Sequence, residues 1–329
     1  MKPLVLSSEP CPSFTEGGFA DLGLCLALFR FISGPPPSSD ELAAYLGPRN
    51  ASHEHQGKHW SGWGGYWKDS KNKKHRDLSL PDFSQHYDTI ELWFDVRPWA
   101  QLQLIWLLDY FRAHPEAATK MKLRLVDRDL IWSGPGGIGD WRPPIVDVTK
   151  KELSTASAAW QAYRSPTPEA CVDLLQQDLS ALPLLRPVLL KLLAERPSAS
   201  SGLGATEMRM LEMIGRGYSR TYDLFYLWDV RQTRVFDEPQ LGYLLEGLAF
   251  GPTPAIVGLD EQLRTMRREI VRDRDDAYRR SNLSLTDFGK AVVAHKEDFS
   301  RHNPIDRWWG GTHLTNDSLW RWNPALLKP

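Results

Sequence analysis

Cysteine is scarce in this 329-residue chain: Cys11, Cys25 and Cys171 are the whole complement. Three thiols so far apart exclude a disulfide framework and a cysteine zinc site, and they fit a reducing compartment. Long apolar runs are missing as well, since none approaches the roughly 18 residues of a membrane-spanning helix. The longest near the N-terminus, Leu22 to Ile32, is interrupted by Arg30 and preceded by Glu9, Glu16 and Asp21. A secretory leader needs a basic start and an unbroken apolar centre, so none is expected and the cytoplasm is the expected location. Net charge is nearly absent, at −1. No global field recruits nucleic acid or an anionic membrane, and any such contact needs a local patch. No internal repeat is present.

What the chain has is an ordinary globular composition, 42% hydrophobic and 25% charged, which argues against wholesale disorder. Its length suggests two domains, each able to bury a core. Leu4-Val5-Leu6 reads as a buried first strand, Asp21 to Ile32 as an apolar helix, and Asp40 to Leu46 as a short helix. Residues 47–83 form a long loop rich in Gly, His, Lys and Trp. Thr89 to Phe94 is a strand, Pro98 opens a helix to Arg112, and Met121 to Val126 is the next strand. Strand, helix, strand in so short a span is a βαβ unit, hence a parallel sheet.

Ser154 to Glu195 is helical in three segments, broken near Pro166 and Pro183, and residues 197–202 read as a linker. Beyond it, helices over Thr206 to Ile214, Tyr222 to Val230 and Gln240 to Phe250 precede a hairpin of Ala255 to Leu259 with Leu283 to Leu285, and Thr286 caps a last helix. That order is a winged helix-turn-helix whose wing carries a charged insertion, Asp260 to Arg280. A closing hairpin is expected from Thr312-His313-Leu314 and Leu319 to Trp322 across the polar turn 315–318. The expected division is therefore an α/β domain over 1–150, a helical connector over 151–196, the linker 197–202, and a winged-helix-like domain over 203–329 ending in a Trp-rich β-hairpin.

Several motifs suggest chemistry. Gly134, Gly136 and Gly139 satisfy a dinucleotide fingerprint, but Pro135 sits inside it and Asp140 to Pro144 cannot start the helix that it requires, so it reads as a turn. Asp95 and Arg97 follow one parallel strand, and Asp127, Arg128 and Asp129 follow the next, at the sheet edge where α/β proteins bind ligands. Their carboxylates could hold Mg²⁺ and their arginines a phosphate; equally, they are helix caps and surface ion pairs.

His53, His55 and His59 could supply imidazoles to a transition metal or lie in a solvated loop. Trp60, Trp63 and Trp67, interleaved with Lys71, Lys73, Lys74 and Arg76, suit stacking of single-stranded nucleic acid, or else cover the sheet edge. The third helix of the winged-helix pattern has Asp237, Glu238 and Glu246 and no Lys or Arg, which disfavours a phosphate-bearing partner. In Asp306-Arg307-Trp308-Trp309-Gly310-Gly311-Thr312-His313, His313 and Asp306 could form an acid–base pair and Arg307 a ligand contact. No Ser, Cys or Lys nucleophile accompanies them, and a structural staple is the simpler reading.

Four stretches carry a family resemblance. They are Ile90-Glu91-Leu92-Trp93-Phe94 with Gln101-Leu102-Gln103-Leu104; Gly137-Ile138-Gly139-Asp140 with Val148-Thr149 and the helix of Trp160; Ser180-Ala181-Leu182-Pro183; and Asn303 to Leu314 with Trp320-Arg321-Trp322. In this order, across about residues 88 to 323, they resemble an uncharacterised bacterial family, domain-of-unknown-function 1835. The resemblance implies an α/β N-terminal part and a winged-helix-like C-terminal part, and no activity. Leu6-Ser7-Ser8 lacks the family's Gly-Asp turn, and Asp95-Val96-Arg97 stands where the family has an acidic, His-containing turn.

Two functions follow as expectations. One is a non-catalytic regulatory or interaction protein, with a ligand-sensing α/β part and a winged-helix part that binds a protein partner or a second copy. The other is a metal-dependent enzyme acting on a nucleotide or phosphorylated ligand at Asp95, Asp127 and Asp129. Nucleic-acid binding ranks behind both, and no membrane contact is expected.

Overall fold

The computed structural model describes residues 3–8, 14, 20–26, 34–50, 59–63, 73–127, 130, 141–227, 235–267 and 271–323. The chain divides into two compact units. The first comprises Met1–Phe29, Pro36–Tyr163 and Glu169–Val188, and the second Arg30–Pro35, Arg164–Pro168 and Leu189–Pro329. This division cuts the expected connector 151–196 into parts of both units. No helix among the described residues is long and apolar enough to cross a membrane.

The first unit is built on a five-stranded sheet of order β2-β1-β3-β4-β5. Its strands are β1 (Leu4–Ser7), β2 (Leu22–Cys25), β3 (Ile90–Trp93), β4 (Met121–Arg124) and β5 (Ile145–Asp147). The first four run parallel and β5 closes the edge antiparallel to β4. Every residue of β1 and β3 is buried, as parallel strands covered on both faces require. Leu22–Cys25, expected to open a helix, is instead the parallel neighbour of β1, with Leu4 opposite Leu22 and Ser7 opposite Cys25. A short apolar run does not distinguish a buried strand from a buried helix, and Gly23 within it disfavours helix.

The helices of this unit begin where their caps dictate. The unit includes α1 (Ser39–Leu46), α2 (Leu80–Ser84), α3 (Pro98–Phe111), α4 (Pro115–Ala118), α5 (Lys150–Tyr163) and α6 (Glu169–Leu174). Ser38 and Glu41 form a capping box on α1, and Pro98 occupies the first turn of α3. Eleven of the fourteen residues of α3 are buried, and it packs along α5.

In the second unit, α7 (Leu185–Ala194), which passes in from the first unit at Leu189, leads to α8 (Ala205–Gly215), α9 (Thr221–Tyr226) and α10 (Glu238–Phe250). A two-stranded ladder of β6 (Ile256–Val257) and β7 (Ser284–Leu285) follows, with α11 (Val271–Arg280) between its strands and α12 (Asp287–Val293) after it. Asp237 with Gln240 caps α10, and Thr286 caps α12. Leu211, Leu224, Leu241, Leu245, Leu248 and Ile256 form its buried apolar centre.

The closing hairpin pairs β8 (Asp306–Trp309) with β9 (Thr312–Thr315). Its turn is therefore Gly310-Gly311, not residues 315–318 as expected, where Thr315 and Ser318 make only an isolated bridge. Gly310 has φ 55, and a Cβ on Gly311 would lie 2.0 Å from the carbonyl oxygen of Arg164. Only glycine fits such an approach. Residues 197–202 lie within the second unit, with Ala199 and Ser200 exposed. Ser198 bridges Trp322, Trp322 N–H donates to Pro197 O at 2.8 Å, and Ser201 and Gly202 are buried.

Candidate functional site

The carboxyl ends of β1 and β3 flank the point where the strand order reverses, the usual ligand crevice of such sheets. Asp95 and Arg97 lie there and are wholly buried. Arg97 Nε donates to Asp95 Oδ1 at 3.0 Å and to Oδ2 at 2.9 Å, and Arg97 Nη2 also reaches Oδ2. The backbone N–H groups of Arg97 and Leu130 donate to the same carboxylate at 3.1 Å each. Both carboxylate oxygens of Asp95 thus accept hydrogen bonds from within the protein, and Arg97 is its counter-charge. Asp127 is exposed; Arg128, Asp129 and the glycines from Gly134 to Gly139 lie outside the described residues. The hydroxyl of Ser8, just past β1, is buried with no hydrogen-bond partner among the described residues.

The loop candidates resolve differently. His59 is buried, with Nδ1 2.7 Å from Ser61 Oγ and Nε2 3.0 Å from Gly47 O. Both ring nitrogens are thus engaged, which excludes it as a metal ligand here. His53 and His55 lie outside the described residues. Among those residues, no cluster of three or more His, Cys, Asp or Glu could hold a metal ion. Trp60 is buried against Phe83, ring centroids 4.9 Å apart, and donates Nε1–H to Leu78 O at 3.0 Å. It is a core residue, not a stacking platform. Lys73, Lys74 and Arg76 are exposed; Trp67, Lys71 and the side chain of Trp63 lie outside the described residues.

In the second unit α11 lies over α10. A Cβ on Gly242 would fall 2.3 Å from the hydroxyl of Tyr278. Arg274, itself buried, donates through Nη2 to Tyr278 Oη at 3.1 Å and to Glu246, and the Tyr278 hydroxyl donates to Glu246 as well. Burial and the Glu246 carboxylate raise the Tyr278 phenol far above its usual range. Glu246, one of the two acidic residues of α10, is thus paired within the unit. The sequence signal was a stripe inside a charged helix: Arg274, Ala277 and Tyr278, at helical spacing, are the buried ones among its described side chains.

Arg307 and His313 play different parts. Arg307 Nη2 donates to Glu207 Oε2 at 2.8 Å, so it holds β8 to α8 rather than facing a ligand. His313 Nε2 and Asp306 Oδ1 do form the expected pair, at 2.6 Å, with the imidazole stacked on Trp308 at 4.8 Å. Both side chains are largely exposed, so no enclosed site surrounds them.

Next to Glu207 is Glu195, which accepts from Thr206 Oγ1 at 2.7 Å and Thr206 N at 3.1 Å. Burial, with a smaller push from Glu207, raises its carboxyl to about 7. A raised carboxyl contributes stability that is full below its unfolded value and is lost as pH climbs through the folded one. Melting of the second unit should therefore weaken from about pH 5 to about pH 8 by on the order of 3 kcal/mol. Glu195→Gln should flatten that slope in calorimetry, and an unchanged slope would place the titration elsewhere.

Compared with known proteins, the chain matches no family model and no curated sequence.

Proposed function

We propose that this is a non-catalytic regulatory or interaction protein, in which a winged-helix-like second unit mediates assembly and the α/β unit senses a ligand at the crevice between β1 and β3. Helices α8, α9 and α10 with the β6–β7 ladder supply the winged-helix pattern, and the family resemblance supports the same architecture. The observation that carries the reading is the cover of α11 on α10. In a DNA-reading winged helix the third helix enters the major groove; here Tyr278 and Arg274 occupy its face at Gly242 and Glu246. Protein contact is favoured by Tyr222, 60% exposed and tilted against Tyr226 with ring centroids 4.6 Å apart, and by Tyr218 and Val257, which are also exposed. Tyrosine is enriched at interfaces because it brings rigid, amphipathic area. Pairing of Asp95 with Arg97 supports this reading over the enzyme one.

Two measurements on the full chain test this. Labelled duplex DNA should show no saturable binding tighter than about micromolar at physiological salt. A salt-resistant footprint abolished by changes within residues 240–246 would restore the DNA reading. In sedimentation velocity, the chain should self-associate with rising concentration and Tyr222→Lys should dissociate it. A wild type that stays monomeric throughout sinks assembly through this face.

A further inference from the structure

A cleft of about 450 Å³ opens between α7, α8, α9 and α10 in the second unit. Met210, Met213, Leu224, Val235 and Leu241, all buried, form its apolar lining. The volume lies within the range of small-molecule sites, and methionine adapts its shape to varied apolar ligands. Four charged residues among those described line the cleft: Lys191, Glu195, Arg209 and Glu212. Of these only Glu195 is buried, at 7% exposure; Lys191 and Glu212 are half-buried and Arg209 is exposed.

Glu195 is an unusual wall for an apolar cleft. Its two hydrogen bonds come from one neutral residue, Thr206. The nearby guanidinium of Arg307 donates to Glu207 instead. Glu207 satisfies itself further from Gly204 N at 2.9 Å, so it takes both the local cation and a backbone donor. Among the described residues, Glu195 is thus a buried carboxylate with no cation in ion-pair contact, and Arg307 acts on it only at longer range. Such a group is costly unless a proton or a cation joins it, and two of its four acceptor positions remain open.

We propose that the cleft binds a small apolar amine, whose ammonium group pairs with Glu195 and whose hydrocarbon body lies among Met210, Met213, Leu224 and Leu241. The ammonium supplies the missing counter-charge, and the apolar body leaves water for an apolar wall. An apolar acid is disfavoured because its carboxylate would face that of Glu195. This site is separate from the crevice of the first unit and does not depend on that reading.

The test is isothermal titration of the intact protein with 2-phenylethylamine, against 2-phenylethanol and 3-phenylpropionate as uncharged and anionic counterparts. The amine should bind saturably at one site, with affinity rising from about pH 6 to about pH 8 as Glu195 loses its proton. The alcohol and the acid should bind roughly ten-fold more weakly or not at all. Glu195→Gln keeps an acceptor for Thr206 but removes the charge, and should weaken the amine by roughly ten-fold or more while leaving the circular dichroism unchanged. Met213→Trp should block the amine by filling the cleft. Equal binding of amine and alcohol by the wild type overturns the proposal without recourse to any variant. So does an absence of amine binding at millimolar concentration, or an affinity that Glu195→Gln leaves untouched.

Discussion

Trp309→Ala should destabilise the second unit by about 3–5 kcal/mol, the range for truncating a buried aromatic side chain. The indole is buried, and its Nε1–H donates to Leu192 O at 2.6 Å, pinning the closing hairpin to α7. Arg196 spans its ring and that of Trp322, at 5.5 and 5.0 Å from the centroids. Removal leaves a cavity, a Leu192 carbonyl held only by the Glu195 N–H, and a cation over one ring instead of two. From the sequence alone, Trp320 is the tryptophan whose loss is expected to unfold or strongly destabilise the C-terminal part. The structure buries Trp309 and Trp322 but leaves Trp308 and Trp320 half-buried. Trp320→Ala should accordingly cost much less than Trp309→Ala, and His313→Ala less still. Urea unfolding followed by circular dichroism checks the order; a Trp309→Ala midpoint equal to that of the wild type would refute the staple.

Asp95→Ala should cost the first unit a similar amount, about 3–5 kcal/mol, because it strips the carboxylate from a buried guanidinium. Arg97 and Asp95 are 3% and 0% exposed at their side chains. The change also removes the acceptor of the Leu130 N–H, which ties the segment after β4 to the end of β3. Asp127→Ala, at an exposed position, should stay within about 0.5 kcal/mol of the wild type. Thermal melts of the two variants side by side decide the matter. If both melt together, Asp95 is conserving no fold and its role has to be sought in chemistry.

Much of this architecture was readable because its signals are local. Ser38 with Glu41, Asp237 with Gln240, Pro98 and Thr286 each mark a helix start within one turn of chain. The βαβ unit of β3, α3 and β4 follows from period and length alone. What escaped depends on distant partners. Leu22–Cys25 becomes a strand because β1 lies ready to pair with it. Two turns competed for the closing hairpin, and the close approach of Gly311 to Arg164 and the burial of Trp309 and Leu314 accompany the one adopted.

The sites were less legible than the fold. Asp95 and Arg97 were correctly placed at a strand end, but sequence cannot tell that the two neutralise each other there. His59 and Trp60 looked functional by composition and are core by position. Glu195 gave no signal at all, since its character comes from Thr206 and Glu207 across a turn and from the cleft beside it.

The ties of the closing hairpin also bear on how the second unit comes to be folded. Trp309 reaches Leu192 across 117 residues, Arg307 reaches Glu207 across 100, and Arg321 reaches Ser198 across 123. Contacts of such sequence separation form late, because a long loop has to close before they stabilise anything. On the ribosome, α7 and α8 emerge well before the hairpin that satisfies them. The sheet strands from β1 to β5, by contrast, are complete by Asp147. The first unit can therefore mature during synthesis while the second waits for its final segment with its apolar face open, the period in which a chain of this kind most needs a chaperone.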